Sequence, residues 1–277
     1  MKIAISADST CDLPIEFIKK YDVRLNAMPF SLGEDLRHDG VTGTSQDVFD
    51  YVEKTGKLPT TSAFNEFEYK EHFENILKDY DAVIHFSFSY NISSTGLNAK
   101  KAAEKLKNVY TIDSQNLSTG ISLLILECAE MIEQGKEINE ILEQMENLKT
   151  KVQASFLIDT LTYLHKGGRC SGIALVGSKL LSLKPRISVI DGKMVVTKKY
   201  MGSINNALLR YTDDILKEVP PNLKRAFVTY SSPLEAKDKI IKKLKDFGFE
   251  EIIEAAAGPS ICIHCGKGTL GVMYLAK

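Results

Sequence analysis

The stretch His85–Ala99, HFSFSYNISSTGLNA, decides the fold of this 277-residue chain. It begins within the apolar, β-favouring run Asp81–Phe88, which reads as a buried strand. A hydroxyl-rich loop follows, and a helix opens near Thr95, its apolar positions continuing through Ala99, Ala102, Ala103 and Leu106. Free backbone N–H groups at a helix start, beside Ser93, Ser94 and Thr95, suit a phosphate or a carboxylate. A serine N-cap with no ligand would use the same residues.

The same strand-then-helix order recurs on either side. Lys2–Ala7 reads as a strand, followed by the loop Asp8-Ser9-Thr10-Cys11-Asp12 and a helix from Pro14. Val23–Leu32 is strand-like, Gly33–Thr44 reads as loop, and Ser45 caps a helix through Val52. A second hydroxyl cluster, Thr60–Ser62, precedes the helical spacing of Glu66–Leu77 and reads as a capping loop or a ligand site. Val109–Ile112 is a strand ended by Asp113-Ser114, and helices follow at Ser118–Gln134 and Ile138–Lys151. This alternation predicts an α/β fold with a mostly parallel sheet flanked by helices over residues 1–150. Right-handed crossovers then bring the loops after Ala7, Phe88 and Ile112 to one sheet edge, with the Ser9 and Ser93 clusters close together.

Beyond residue 150 the pattern changes. Ala154–Ile158 and Pro185–Ile190 are strands, Gly172–Leu183 is an apolar helix candidate, and Asp191-Gly192 marks a hairpin returning through Met194–Lys199. Helical spacing at Ile204–Val219 and Leu234–Phe247 alternates with strands at Arg225–Thr229, Ile252–Ala256 and Gly271–Leu275. Residues 151–277 therefore predict an α+β domain on a partly antiparallel sheet. Gly258–Gly271, GPSICIHCGKGTLG, reads as a glycine-punctuated loop carrying His264, a candidate donor to an anion. Cys262 and Cys265 bracket it as a CxxC, but no second close pair completes a zinc set, and Cys262 is expected in the core.

Composition narrows the function classes. With 44% hydrophobic residues, 26% charged and a net charge of -1, the chain has no electrostatic bias toward nucleic acid. Met1 leads directly into a strand with no secretory pattern, and the apolar run Ile121–Leu126 is too short to span a bilayer. Five dispersed cysteines fit reduced thiols, so a cytoplasmic location is expected. No GxxxxGK[ST] loop or kinase signature set is present, and the GxGxxG spelling at Gly266–Gly271 leads into a strand and does not open a helix, so it is no Rossmann fingerprint.

Taken in order, several pieces resemble the DegV family of bacterial fatty-acid-binding proteins. They are Ala7-Asp8-Ser9-Thr10-Cys11-Asp12-Leu13-Pro14, Pro59-Thr60-Thr61-Ser62, Ile92-Ser93-Ser94-Thr95 and Asp113-Ser114. Further along stand Asp159-Thr160-Leu161-x-Tyr163-Leu164-x-Lys166-Gly167-Gly168-Arg169, Leu183-Lys184-Pro185 and His264-x-Gly266-x-Gly268-x-Leu270-Gly271. The resemblance implies two domains with a long-chain fatty acid bound non-covalently between them. Its carboxylate would be held by Thr61, Ser93 and His264, with Ser62 and Ser94 adjacent. No cofactor or metal is implied. It also implies a carrier without its own nucleotide site, presenting the head group to a separate ATP-binding kinase subunit, with transient membrane contact for lipid exchange. Arg169 would then meet the partner or a phosphoryl group, or be a plain turn arginine. The sequence departs from the family pattern at Ser94 and Gly96, at Ala63-Phe64, at Ile263 and Lys267, and in a thinned basic segment after the hairpin. A reading from another class is a self-sufficient phosphotransferase or hydrolase using Asp8 or the Ser93/His264 pair, although Ser93 lacks a GxSxG elbow.

Overall fold

A computed structural model describes residues 1–171 and 183–277. The first half contains β1 (Ile3–Asp8), α1 (Ile15–Lys20), β2 (Arg24–Asn26), β3 (Pro29–Leu32), β4 (Asp35–His38) and α2 (Ser45–Thr55). It continues with β5 (Thr60–Thr61), α3 (Glu66–Ile76), β6 (Ala82–Ser87), α4 (Thr95–Ala103), β7 (Val109–Asp113), α5 (Thr119–Glu133) and α6 (Ile138–Leu148). The second half runs β8 (Val152–Leu157), α7 (Thr162–Gly167), β9 (Cys170–Ser171), β10 (Leu183–Ile190), β11 (Lys193–Met201) and α8 (Ile204–Glu218). It ends with β12 (Pro221–Tyr230), α9 (Ala236–Phe247), β13 (Glu251–Ala256), α10 (Pro259–Cys265) and β14 (Leu270–Ala276). The apolar helix expected over Gly172–Leu183 falls on 172–182, outside the described residues, and Leu183 itself begins β10.

The fold is α/β, as the alternation predicts. Its first sheet is wholly parallel, in the order β2-β1-β6-β7. Because the chain adds β2 on one side of β1 and β6 on the other, a crevice opens outside the carboxyl ends of β1 and β6. The loops bearing Thr10 and Ser93 leave from that crevice, as right-handed crossovers require. The second sheet is mixed, in the order β13-β12-β14-β8-β10-β11-β9.

Between the two sheets lies α5, TGISLLILECAEMIE, touching β1 and β6 on one side and β8, β12 and β14 on the other. From Ile121 to Leu126 this helix is apolar on every face and has to be covered on every face; ten of its fifteen residues are buried, and farther along Glu127 and Glu130 pair with Lys224 and Arg225. Its two polar intrusions are satisfied: Ser122 donates to the Cys11 carbonyl at 2.7 Å, and the Thr119 and Thr229 hydroxyls lie 2.5 Å apart. The Asp191-Gly192 hairpin adopts positive φ at both residues, the turn its sequence calls for. Its tip docks on the loop after β6, where Ser89 Oγ donates to the Gly192 carbonyl at 2.7 Å and Asn91 Nδ2 donates to the Asp191 carbonyl at 3.0 Å.

Several local expectations are corrected, among them the cap of α2, which is Thr44 in a reciprocal box with Asp47 and not Ser45. Val23–Leu32 is two strands serving different sheets, β2 the parallel one and β3 a small antiparallel sheet in the order β4-β3-β5, and Asp35–His38, expected as loop, is β4. Thr60–Ser62 does not cap a helix: Thr60 and Thr61 pair with β3, and α3 is capped by Asn65 in a reciprocal box with Glu68. Gly258–Gly271 is not simply loop, because Pro259–Cys265 forms α10. Cys262 and Ile263 of α10 pack with Phe30, Val48 and Phe49 from the first half. The start of α10 is held by two carboxylates. Gly258 N–H donates to Asp12 Oδ1 at 2.8 Å and Ser260 N–H to Asp39 Oδ2 at 3.1 Å, satisfying donors at the start of the helix.

Burial pushes the Asp12 carboxyl up from 3.8 to about 8. The stability it contributes is therefore complete below about pH 4 and lost as pH rises through 8. His72 and His264, pushed by burial from 6.5 down to about 4, act with the opposite sign and only below about 6.5. Between pH 6.5 and 8 the chain should lose on the order of 2 kcal/mol through Asp12. Asp12→Asn, a neutral isostere suited to the left-handed φ of 53° at this position, should flatten that decline in urea titrations run across the range. A slope unchanged by the substitution would refute the assignment.

Candidate functional site

The crevice at the carboxyl ends of β1 and β6 holds a cavity of about 180 Å³, far more than one water needs. The first half supplies Thr10, Met28, Thr61, Ser62, Phe88, Ile92, Ser93, Ser94, Thr95 and Leu117 to its wall. The second half supplies Phe156, Leu164, Arg169, Met194, Ile261 and His264. All five residues expected to meet an anionic head group line this one space, as does Arg169, although they come from β5, the loop before α4, α10 and the segment after α7. The remaining wall is largely apolar.

Each polar residue arrives there for a local reason. Thr61 is placed by pairing with Phe30 in β3. Ser93 Oγ accepts from Thr95 N–H at 3.3 Å, while the Ser94 side chain makes no capping bond, so the start of α4 is not closed by its own N-cap. The backbone turns sharply before Gly96, where a Cβ would fall 2.6 Å from the Tyr90 ring and 2.9 Å from the Phe88 carbonyl. His264 sits at the carboxyl-terminal end of α10 with Nε2 3.2 Å from Thr61 Oγ1, a bond that joins the two halves of the chain. The opposite edge of its ring lies against Gly167, where a Cβ would meet Nδ1 at 2.6 Å.

Burial, reinforced by the nearby Arg169 charge, pushes His264 down to about 4. At neutral pH it is imidazole rather than imidazolium, with one donor nitrogen and one acceptor nitrogen. Arg169 is the only cation among the described lining residues; it is exposed, and its Nη1 donates to the Gly167 carbonyl at 2.6 Å. The cavity can thus receive a single anion at the hydroxyl side and an apolar chain behind it.

The alternative nucleophiles are placed differently. Asp8 is buried, is not among the described lining residues, and accepts from the Tyr69 hydroxyl at 2.7 Å. No hydrogen bond joins Ser93 to His264 among the described residues. Cys262 and Cys265 are buried thiols, Cys265 at the cavity wall, and the contact with Cys265 together with burial pushes the Cys262 thiol far up. No group of three or more His, Cys, Asp or Glu is arranged to hold a metal among the described residues. No helix among them is long and apolar enough to cross a membrane.

Sequence reasoning named Thr95 among the hydroxyls at the start of α4 but did not single out Thr10 or Ser260 as lining residues, or Tyr69 as the partner of Thr95. Thr95 was visible as the third hydroxyl of Ser93-Ser94-Thr95, whereas Tyr69 gives no signal, because its role depends on how α3 packs against α4.

A sequence model of the DegV family matches residues 2–277. Protein DegV of Bacillus subtilis is 30% identical over 283 residues, covering the whole of both chains. Among solved structures, a DegV family protein from Thermus thermophilus, described as fatty acid binding, superposes with a TM-score of 0.91 at 25% identity over the whole of both chains. DegV of Bacillus subtilis, a fatty acid binding protein, superposes at 0.88 with 28% identity over the same coverage.

Gly167→Ala should displace the His264 ring and break its bond to Thr61 without unfolding the chain. The check is the His264 imidazole signals in NMR spectra together with far-UV circular dichroism. An unmoved ring in a folded variant would show that the close approach to Gly167 is not what seats it.

Proposed function

We propose that this protein, which belongs to the DegV family, binds one long-chain fatty acid non-covalently between residues 1–150 and 151–277. The observation that carries this reading is the division of the cavity wall. Thr61, Ser62, Ser93, Ser94 and His264 stand together as head-group contacts, and Met28, Phe88, Leu117, Phe156, Leu164 and Ile261 offer the tail an apolar surface. The fatty acids bound by the similar Thermus thermophilus and Bacillus subtilis proteins support it.

The energetics divide in the same way. Each methylene of the tail taken from water contributes about 0.8 kcal/mol. The carboxylate loses hydration on entry, and hydroxyl donors, an uncapped helix start and the Arg169 charge offset that loss. His264, neutral before binding, contributes an N–H dipole, and a carboxylate beside it raises its affinity for a proton.

The role is that of a carrier. Asp8 and the Ser93/His264 pair lack the placement a nucleophile needs, so chemistry on the head group falls to a separate ATP-dependent kinase subunit. Arg169, exposed at the polar side of the cavity, is the residue we assign to that partner or to the phosphoryl group it transfers.

Mass spectrometry of the organic extract of the purified chain should find close to one fatty acid per molecule. Ser93→Ala and His264→Ala should each weaken retention of added oleate by about 10- to 100-fold, the cost of losing one hydrogen bond to a charged group. A wild-type chain that is empty and takes up no oleate or palmitate would sink the carrier reading. Turnover of acyl phosphate or acyl esters by the chain alone would move the function to an enzyme.

A further inference from the structure

A buried line of hydroxyls leads away from the cavity and is not explained by head-group contact. Thr95 lines the cavity, is 1% exposed, and has its Oγ1 2.9 Å from the Tyr69 hydroxyl. Tyr69 is fully buried and donates to Asp8 Oδ1 at 2.7 Å. The other oxygen of Asp8, Oδ2, is buried with no hydrogen-bond partner among the described residues. Tyr69 from α3 and Cys11 from the turn after β1 are the titratable groups near Asp8. Asp12 lies beyond Cys11, and His85 of β6 packs its ring edge-on to Tyr69 at 5.4 Å. None of these is a cation at neutral pH, since burial holds His85 well below its usual range and Cys11 and Tyr69 well above theirs.

A hydroxyl has one proton, so the three groups must point the same way along the line. With Asp8 ionised, Tyr69 donates to Asp8, Thr95 donates to Tyr69, and Thr95 turns only lone pairs toward the cavity. With a proton on Asp8 Oδ1, every bond reverses: Asp8 donates to Tyr69, Tyr69 donates to Thr95, and the Thr95 proton is free to donate to an anion.

We propose that Asp8 is a positioning residue that acts through Tyr69 to set the direction of the Thr95 hydroxyl, so that a carboxylate bound in the cavity is coupled to one proton taken up at Asp8. The inference rests on the carrier reading for the identity of the anion. Burial supports it by pushing the Asp8 carboxyl up to about 7, where both states are accessible near neutrality. Ionised Asp8, which has no cation facing it, would also repel the incoming carboxylate, and this repulsion has the same sign as the hydroxyl reversal.

The test is calorimetric titration of the full chain with oleate at pH 6 to 9, repeated in buffers of different ionisation enthalpy to count protons. Wild type should take up close to one proton per oleate at pH 8, with affinity falling by up to about tenfold per pH unit above 7. Asp8→Asn, whose amide N–H donates to Tyr69 at every pH, should keep the low-pH affinity across the range with no uptake linked to this line. Tyr69→Phe removes the only hydrogen bond to the Asp8 side chain among the described residues and should likewise level the profile. Oleate binding by wild type without proton uptake, or variants that keep the wild-type slope, would overturn the inference and leave the carrier reading standing. No oleate binding at any pH would overturn both.

Discussion

The burial of α5 between the two sheets is the constraint on which the rest of the structure depends. Its stretch Ile121–Leu126, apolar all round, cannot be left against water on any face, so the parallel sheet and the mixed sheet must both cover it. One contiguous set of buried side chains therefore runs from Ile5 and Ile84 of the first sheet through Leu124 and Ile125 to Phe227 and Met273 of the second. The halves are held in a single register relative to one another, which allows residues more than a hundred positions apart to share one cavity wall. Phe156 and Leu117 meet there because α5 brings both sheets to the crevice.

The second constraint is the seating of α10. Asp12 and Asp39 receive the first N–H groups of this short helix, Ser45 donates to the Ala257 carbonyl just before it, and Cys262 and Ile263 enter the apolar layer under β3 and α2. A segment near the end of the chain is thereby bonded to its first fifty residues, and His264 comes to rest between Thr61 and Gly167. The polar side of the cavity is built across that seam. Burial there keeps His264 neutral, and burial behind the wall raises the Asp8 carboxyl toward neutrality.

Much of this could be read from local pattern. The alternation of strand and helix, the loop edge carrying Thr10 and Ser93, and the Asp191-Gly192 hairpin follow from periodicity, crossover handedness and turn chemistry. The errors are local as well. Thr60–Ser62 looked like a cap because hydroxyls precede a helix, while the actual box, Asn65 with Glu68, stands three residues on. Gly258–Gly271 looked like loop because β-favouring Ile261 and Ile263 lie between glycines. Pro259 at the first helical position and Gly266 just past the end were the helix signals.

By itself the sequence determined which residues could serve an anion, because hydroxyls, histidine and helix starts are properties of short segments. Only the tertiary structure decided that Thr61, Ser93 and His264 face one cavity. It also decided that His264 is neutral and that Asp8 is withdrawn from the wall and joined to it through Tyr69. The physical reason is that proximity and desolvation are not local quantities. They arise when two sheets close over one helix and remove the water between them, and no window of sequence contains both sides of that contact.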